Sequence, residues 1–186
     1  MAVKYSLDST KVEKAARSWL SERRVQPEQI AELVMNAQKE YYPQLTPEEC
    51  LAAVDRVLSK REVHNALLLG IQLDRLGEKG LLDPPLQELI ENDEKLFGCD
   101  EVLALSIVNV YGSIGFTNYG YLDKLKPGIL AKLNDRTDAE CHTFLDDLVG
   151  AVAASACSYI AHSQQAKAEE EQAKQSPARP AGAPAN

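Results

Sequence analysis

The sequence has no apolar run that is long enough to cross a membrane and no closely spaced pair of cysteines. Its longest apolar stretches, residues 67–73 and 102–110, fall well short of the roughly 20 residues that a membrane-spanning helix needs. The four cysteines lie far apart, which excludes the zinc and redox motifs that depend on close pairs. The N-terminal residues lack the basic and apolar regions of a signal peptide. We therefore expect a cytoplasmic protein with reduced thiols.

Basic residues are too few to balance the acidic ones. The chain has 20 Lys and Arg residues against 28 Asp and Glu residues, which gives a formal net charge of -8. Because nucleic-acid phosphates and anionic lipids repel such a surface, we expect no nucleic-acid partner and at most peripheral membrane contact. A length of 186 residues with a 45% hydrophobic composition is enough for one domain with its own core.

Apolar residues recur with helical spacing, and no segment alternates with the period of two that a half-buried strand requires. Capping signals for helix starts are present at Thr10 with Glu13 and at Thr46. Residues 102–110 are almost entirely apolar and are compatible with a buried strand or a buried helix, but a lone strand has no partner. The sequence therefore predicts an all-α fold, a compact multi-helix bundle in which a buried helix at about residues 102–113 is central.

The composition changes after residue 163. Residues 164–186 are rich in Ala, Glu, Gln, Lys and Pro, and they include no large apolar side chain. Burial therefore cannot offset the entropy lost on ordering this segment. We predict a helical domain over residues 1–163, followed by a tail over residues 164–186 that is disordered beyond a few frayed helical turns.

Two adjacent carboxylates, Asp146 and Asp147, interrupt an otherwise apolar segment at residues 144–150. Neighbouring side chains on a helix point about 100° apart, so both acids can flank the apolar stripe as solvated charges, or one can face a pocket. Paired carboxylates suit Mg²⁺, which prefers oxygen donors and often links one or two carboxylates to a substrate phosphate. Glu62 is a candidate further ligand, with a surface ion pair as the alternative use.

A second candidate region, residues 111–128, is rich in glycine and tyrosine, and it predicts an aromatic loop at its centre. Loops of this composition are often binding sites, and backbone and side-chain donors can hold a phosphate there. The glycine spacing matches neither the Walker A loop nor the dinucleotide fingerprint, and a plain helix-breaking connection is the alternative. The candidate substrate-binding residues are Ser113, Thr117, Asn118, Lys124 and Lys126.

Two of these segments resemble the phosphatidylglycerophosphatase A family. Residues 120–128 are similar to the family's glycine-rich Pro-Gly segment, and residues 144–150 are similar to its later acidic motif. Residues 60–156 resemble more closely the soluble YutG-like branch, which is all-helical. The chain differs from the family pattern at Asp147, where the family has Glu, and at Ile129, where it has Thr. The membrane helices of the membrane-bound members are missing.

The resemblance implies a Mg²⁺-dependent phosphatase that removes the terminal phosphate of phosphatidylglycerophosphate in phospholipid metabolism, or that acts on a related phosphate monoester. It implies that Asp146 and Asp147 are metal ligands and that the partner is a phosphorylated small molecule or a lipid head group. The sequence identifies no general base. The alternative is a non-catalytic helical binding module that retains the family scaffold. We also expect a homo-oligomer, because many small helical proteins bury apolar helix faces in that way.

Overall fold

The computed structural model describes residues 8–135 and 140–175, and these residues form nine α-helices and no strand. The predicted all-α fold is confirmed. No helix in these two ranges combines the length and the apolar composition that crossing a membrane requires. In chain order the helices are α1 (Ser9–Glu22), α2 (Pro27–Gln38), α3 (Pro47–Leu58), α4 (Arg61–Glu78), α5 (Leu86–Glu91), α6 (Cys99–Val108), α7 (Ser113–Leu125), α8 (Ile129–Leu133) and α9 (Leu145–Gln175).

Side-chain caps fix the starts of α1 and α3. The Thr46 hydroxyl accepts a hydrogen bond from the Glu49 N–H at 3.2 Å, and the Glu49 carboxylate accepts one from the Thr46 N–H at 3.1 Å. At α1 the capping residue is Asp8 rather than Thr10, because the Asp8 carboxylate accepts a hydrogen bond from the Thr10 N–H at 3.0 Å. The sequence signals therefore located both helices but assigned the wrong cap to one of them.

Helix α9 lies at the centre of the bundle. Residues 143–158 are all buried, and α9 contacts α2, α3, α4, α6, α7 and α8. Many of its buried side chains are small, including Ala151, Ala153, Ala154 and Ala156. Small side chains allow neighbouring helices to approach α9 from every side.

The predicted central helix at residues 102–113 is wrong in extent and in position. Helix α6 ends at Val108, and α7 begins at Ser113. Only one side of α6 is buried: Ala104 has no exposed surface, whereas Val102 is 66% exposed. The run of large apolar residues in this segment led to the prediction of a central helix. A helix that other helices contact on every side, such as α9, instead needs side chains small enough for close helix packing.

Helix α4 crosses the first two turns of α9 at Gly70. A Cβ atom placed on Gly70 would lie 2.5 Å from Leu148 Cδ1 and 2.9 Å from Phe144 Cβ, closer than real Cβ contacts. The absence of a side chain at this position therefore lets the backbones of α4 and α9 come close together. This crossing positions the beginning of α9, where the paired acids lie.

Helix α9 continues to Gln175, past the domain boundary predicted at residue 163. Its last turns are mostly exposed, and Lys167 Nζ lies 3.6 Å from Glu49 Oε1. Ala, Glu, Gln and Lys are strong helix formers, which accounts for these turns. They are the few helical turns that the prediction allowed at the start of the tail. Disorder of residues 176–186, which lie outside the described residues, stays a prediction.

Candidate active site

Asp146 and Asp147 lie in the first turn of α9, and a buried carboxylate from α4 caps that turn. Asp74 accepts hydrogen bonds from the Phe144 N–H at Oδ1 (3.0 Å) and from the Leu145 N–H at Oδ2 (3.1 Å). Burial raises the pKa of the Asp74 carboxyl well above its ordinary value, although the two N–H donors lower it. Asp74 therefore fixes where α9 begins relative to α4.

The side chain of Lys126 joins three carboxylates. Its Nζ atom lies 2.6 Å from Asp123 Oδ1, 2.7 Å from Asp146 Oδ2 and 2.9 Å from Asp147 Oδ1. Lys126 ends α7 in the left-handed conformation, with φ of 42°. Asp146 and Asp147 are only 8% and 5% exposed. The end of α7 and the beginning of α9 therefore meet in one largely buried group of charges, which we call the carboxylate cluster: Asp123, Lys126, Asp146 and Asp147.

One ammonium group cannot neutralise three carboxylates, so the carboxylate cluster keeps an excess of negative charge. Burial raises the pKa of Asp147 to about 8, the Asp146 carboxylate adds to this rise, and Lys126 opposes it. Burial likewise raises the pKa of Asp146. Burial by itself lowers the pKa of Lys126, but the two carboxylates outweigh it, and this pKa lies above its ordinary value. The cluster therefore favours binding of a further cation or a proton.

A fourth carboxylate, Asp100 of α6, lines the same cavity, which has a volume of about 580 Å³. Asp100 is 9% exposed, and its Oδ1 atom has no hydrogen-bond partner in the described part of the chain. Burial is the main cause of the raised pKa of this carboxyl. Carboxylate oxygens at a polar cavity are the donors that Mg²⁺ prefers, so the donor set fits a hard cation.

Glu62 does not belong to this donor set. It is exposed in the first turn of α4, it does not line the cavity, and its charge adds to the effect of burial in raising the pKa of Tyr111. The predicted ligand set is corrected accordingly, because the rotation of α4 turns Glu62 toward solvent. Within residues 8–135 and 140–175, no three His, Cys, Asp or Glu side chains are grouped so that they could hold a metal ion as they stand.

Four of the five predicted substrate-binding residues lie outside the carboxylate cluster. Ser113, Thr117 and Asn118 belong to α7 rather than to a loop. The Thr117 hydroxyl donates to the Ser113 carbonyl at 3.3 Å, and the Asn118 amide donates to the carbonyl one turn earlier at 2.8 Å. Lys124 is exposed and does not line the cavity. Only Lys126 reaches the acids.

The sequence prediction missed three acids, Asp74, Asp100 and Asp123. Asp123 precedes Lys126 by three residues, a spacing that places both on one helix face, so this signal was available. Asp74 interrupts an apolar stretch of α4, which also marks it as unusual. The direction in which Asp74 and Asp100 point depends on how α4, α6 and α9 cross, and a single sequence does not supply that information.

Comparison with known proteins identifies the family. The model of the family described as Phosphatidylglycerophosphatase A matches residues 29–162. The chain is 60% identical over 153 residues to the uncharacterized protein YutG of Bacillus subtilis (strain 168), which covers 82% of this chain and 92% of that protein. It is 51% identical over 155 residues to the uncharacterized protein YpjQ of the same strain, with coverage of 83% and 87%.

A solved structure supports the same assignment. The low temperature requirement C protein from Listeria monocytogenes is 59% identical and superimposes with a TM-score of 0.83, over 85% of this chain and 99% of that chain. The family match includes both helix ends that form the carboxylate cluster. The resemblance to the YutG-like branch is confirmed. This chain belongs to the phosphatidylglycerophosphatase A family.

Proposed function

We propose that this protein is a Mg²⁺-dependent phosphatase that hydrolyses the terminal phosphate of phosphatidylglycerophosphate or of a related phosphate monoester. Family membership supports phosphatase chemistry in general. The observation that carries the proposal is the convergence of Asp123, Asp146 and Asp147 within 2.9 Å of one cationic atom. Three oxygens that already surround a point charge provide the kind of donors that a hard cation needs.

Each charged residue of the cavity then has a distinct role. Asp146 and Asp147 are the proposed Mg²⁺ ligands, and Asp123 is a further oxygen donor. When bound, Mg²⁺ neutralises charge and polarises the phosphoryl group. Lys126 supplies the positive charge that a phosphate monoester needs beside these acids. Asp100 is the proposed base, because the residue lines the cavity and its Oδ1 atom has no hydrogen-bond partner among the described residues. In this role it accepts a proton from the water that bonds to phosphorus, while the P–O bond to the alcohol breaks and the alcohol oxygen takes a proton.

Phosphate release from phosphatidylglycerophosphate in detergent micelles, with and without Mg²⁺, tests this function. Asp146→Asn and Asp147→Asn keep the side-chain shape but remove the charge, so each is expected to lower the rate by about a hundredfold. Asp83→Asn, an exposed carboxylate outside the cavity, is the matched control and is expected to keep the wild-type rate. Wild-type activity in the double variant Asp146→Asn, Asp147→Asn would remove this site assignment.

A non-catalytic helical binding module is the second candidate. It is favoured by Lys126, because the ammonium group of this chain's own side chain pairs with both acids. This function predicts that no phosphate ester is hydrolysed with Mg²⁺ or Mn²⁺, while a phosphate monoester still raises the melting temperature. Measurable turnover by the purified wild-type chain would exclude it.

We also propose that the protein is a cytoplasmic homo-oligomer with at most peripheral membrane contact. All four cysteines are unpaired, as expected in a reducing compartment. Exposed apolar side chains such as Leu96 (94%) and Val102 (66%) offer surface for contact between subunits. Cell fractionation tests the compartment. Size-exclusion chromatography with light scattering tests the assembly, and a 20.4 kDa species would contradict it.

A further inference from the structure

A cavity rich in basic side chains adjoins the carboxylate cluster. This basic cavity has a volume of about 360 Å³, and Arg23, Arg24, Lys132 and His142 lie in its wall. His142 also lines a smaller cavity of about 200 Å³ whose wall includes Asp146. The basic cavity and the proposed active site are therefore linked by shared wall residues.

Arg23 is buried with part of its guanidinium group unused. The residue is 6% exposed, and Nη1 forms an ion pair with Glu78. Its Nε and Nη2 atoms are buried and have no hydrogen-bond partner within residues 8–135 and 140–175. These two N–H groups lie along one edge of the guanidinium, the edge that binds two oxygens of a carboxylate or phosphate in parallel. Buried donors without acceptors are costly, so an oxyanion that reaches this edge would gain two hydrogen bonds.

Two exposed cations extend the same wall. The Arg24 side chain is 76% exposed, and a 3.6 Å contact holds it to Glu140. Lys132 lies in the last turn of α8 and is also exposed. Both side chains have the freedom to turn toward a ligand in the cavity, because long exposed side chains are held weakly by surface ion pairs.

Three carboxylates lie near these cations and partly neutralise their charge. The carboxylates differ in how firmly they are held. Glu78 is fixed, because it pairs with Arg23 and accepts the Cys141 N–H at 2.8 Å. Asp135 lines the cavity. Glu140 lies 3.6 Å from Arg24 and 3.4 Å from His142 Nε2, both longer than a strong charged hydrogen bond. A phosphate that is also bound by Arg23 can displace Glu140 from these long contacts.

We propose that the basic cavity binds a second, non-reacting phosphate of the substrate, with two of its oxygens on the Nε and Nη2 edge of Arg23. This inference rests on the proposed function, in which the reacting monoester lies at the carboxylate cluster. Phosphate suits the cavity better than carboxylate does, because its tetrahedral oxygens have lone pairs outside the guanidinium plane, so the two oxygens on Arg23 can also accept from Arg24 and Lys132. In phosphatidylglycerophosphate, the substrate proposed above, this second phosphate is the phosphodiester.

Calorimetric titration of inorganic phosphate into the full chain, in EDTA, tests the basic cavity without metal or turnover. Wild type is expected to bind phosphate, and the double variant Arg23→Gln, Glu78→Gln is expected to bind it about tenfold more weakly. Because Arg24 is exposed, Arg24→Gln is expected to leave the fold intact, and it is also expected to weaken phosphate binding. Lys11→Gln, an exposed lysine of α1, is the matched control. No phosphate binding by wild type, or equal binding by wild type and the double variant, would overturn the proposal.

Glu140→Gln provides a gain of affinity that misfolding cannot imitate. Removing this carboxylate charge frees Arg24 and takes away the anion that competes with phosphate. The variant is expected to bind inorganic phosphate several-fold more tightly than wild type, in the same calorimetric experiment. An affinity equal to or below that of wild type would contradict the proposed position of the phosphate.

Kinetics with two soluble substrates separate this inference from the phosphatase function. Arg24→Gln is expected to raise KM more for a substrate with a phosphodiester and a terminal monoester than for glycerol phosphate. If wild type hydrolyses neither but its phosphate binding depends on Arg23, the phosphatase proposal fails and the anion site stands. If both are hydrolysed and the KM ratio does not change in Arg24→Gln, the second-phosphate site fails and the phosphatase stands.

Discussion

The two ends of α9 are held in place by different kinds of interaction. At the N-terminal end, Asp74 from α4 caps the helix, and Lys126 from the end of α7 binds both acids of the first turn. At the C-terminal end, the last turns are mostly exposed, and Lys167 makes a single long contact with Glu49. Packing from other elements therefore fixes the first end, whereas helix propensity maintains the second.

This difference explains why the proposed chemistry lies at the N-terminal end. A site for a cation and a phosphate needs carboxylates held within a few tenths of an ångström, which exposed helical turns do not provide. The N-terminal end supplies that rigidity through buried contacts with α4 and α7. Holding these acids in place has a cost, because burial, and after it the neighbouring Asp146 carboxylate, raises the pKa of Asp147.

The strongest test of the comparison is loss of the cap. Asp74→Ala leaves the N–H groups of Phe144 and Leu145 without acceptors, and the free energy of unfolding is expected to fall by about 3 kcal/mol. Asp74→Asn keeps a neutral acceptor and is expected to lose less. Urea denaturation measures both, with exposed Asp83→Asn as the control. If Asp74→Ala is as stable as that control, the N-terminal end is not held by its cap.

The crossing of α4 and α9 gives the next largest effect. Gly70→Ala places a methyl group 2.5 Å from Leu148 Cδ1, so the helices must move apart, at a cost of about 2 kcal/mol in the free energy of unfolding. Gly120→Ala in α7 is the matched control, because a Cβ there meets nothing within 4 Å. That control is expected to be neutral or slightly stabilising. Equal midpoints for the two variants in urea would show that the crossing tolerates a side chain.

The titration of Asp147 makes the contribution of the N-terminal end of α9 to stability depend on pH. Its folded pKa is about 8, whereas an unfolded Asp titrates near about 3.9. Between these values the folded chain holds a proton that the unfolded chain has lost, so stability falls as pH rises. In EDTA, the loss of unfolding free energy between pH 5 and pH 7 is expected to be about 2.5 kcal/mol smaller for Asp147→Asn than for wild type. An unchanged pH dependence would place this titration elsewhere.

Local signals in the sequence predicted most of the helices, because caps and apolar spacing act within a few residues. The capping box of α3 at Thr46 is the clearest case. Glycine was the misleading signal, because it favoured a loop in residues 111–128. Gly115 instead lies inside α7, where a Cβ would be 3.1 Å from Val108 Cγ1. Glycine permits close packing as well as chain reversal, and the sequence does not say which use applies.

The candidate site was predictable only in part for a similar reason. Asp146 and Asp147 are conspicuous because they interrupt an apolar segment, and both acids are buried. Asp100 and Asp74 come from helices that are distant in sequence, and they reach α9 only through tertiary packing. The sequence therefore indicates the acids of one helix, while the structure adds the carboxylates that other helices contribute.

The smallest expected effect is at the C-terminal end of α9. Lys167→Ala removes the 3.6 Å contact with Glu49, but alanine favours the helix, so the free energy of unfolding is expected to change by less than about 0.5 kcal/mol. Lys126→Ala removes the ion pairs of the buried acids and is expected to cost considerably more. Urea denaturation of both variants compares the ends directly. If the two losses are equal, the exposed turns contribute as much as the buried cluster, and the contrast between the ends of α9 does not hold.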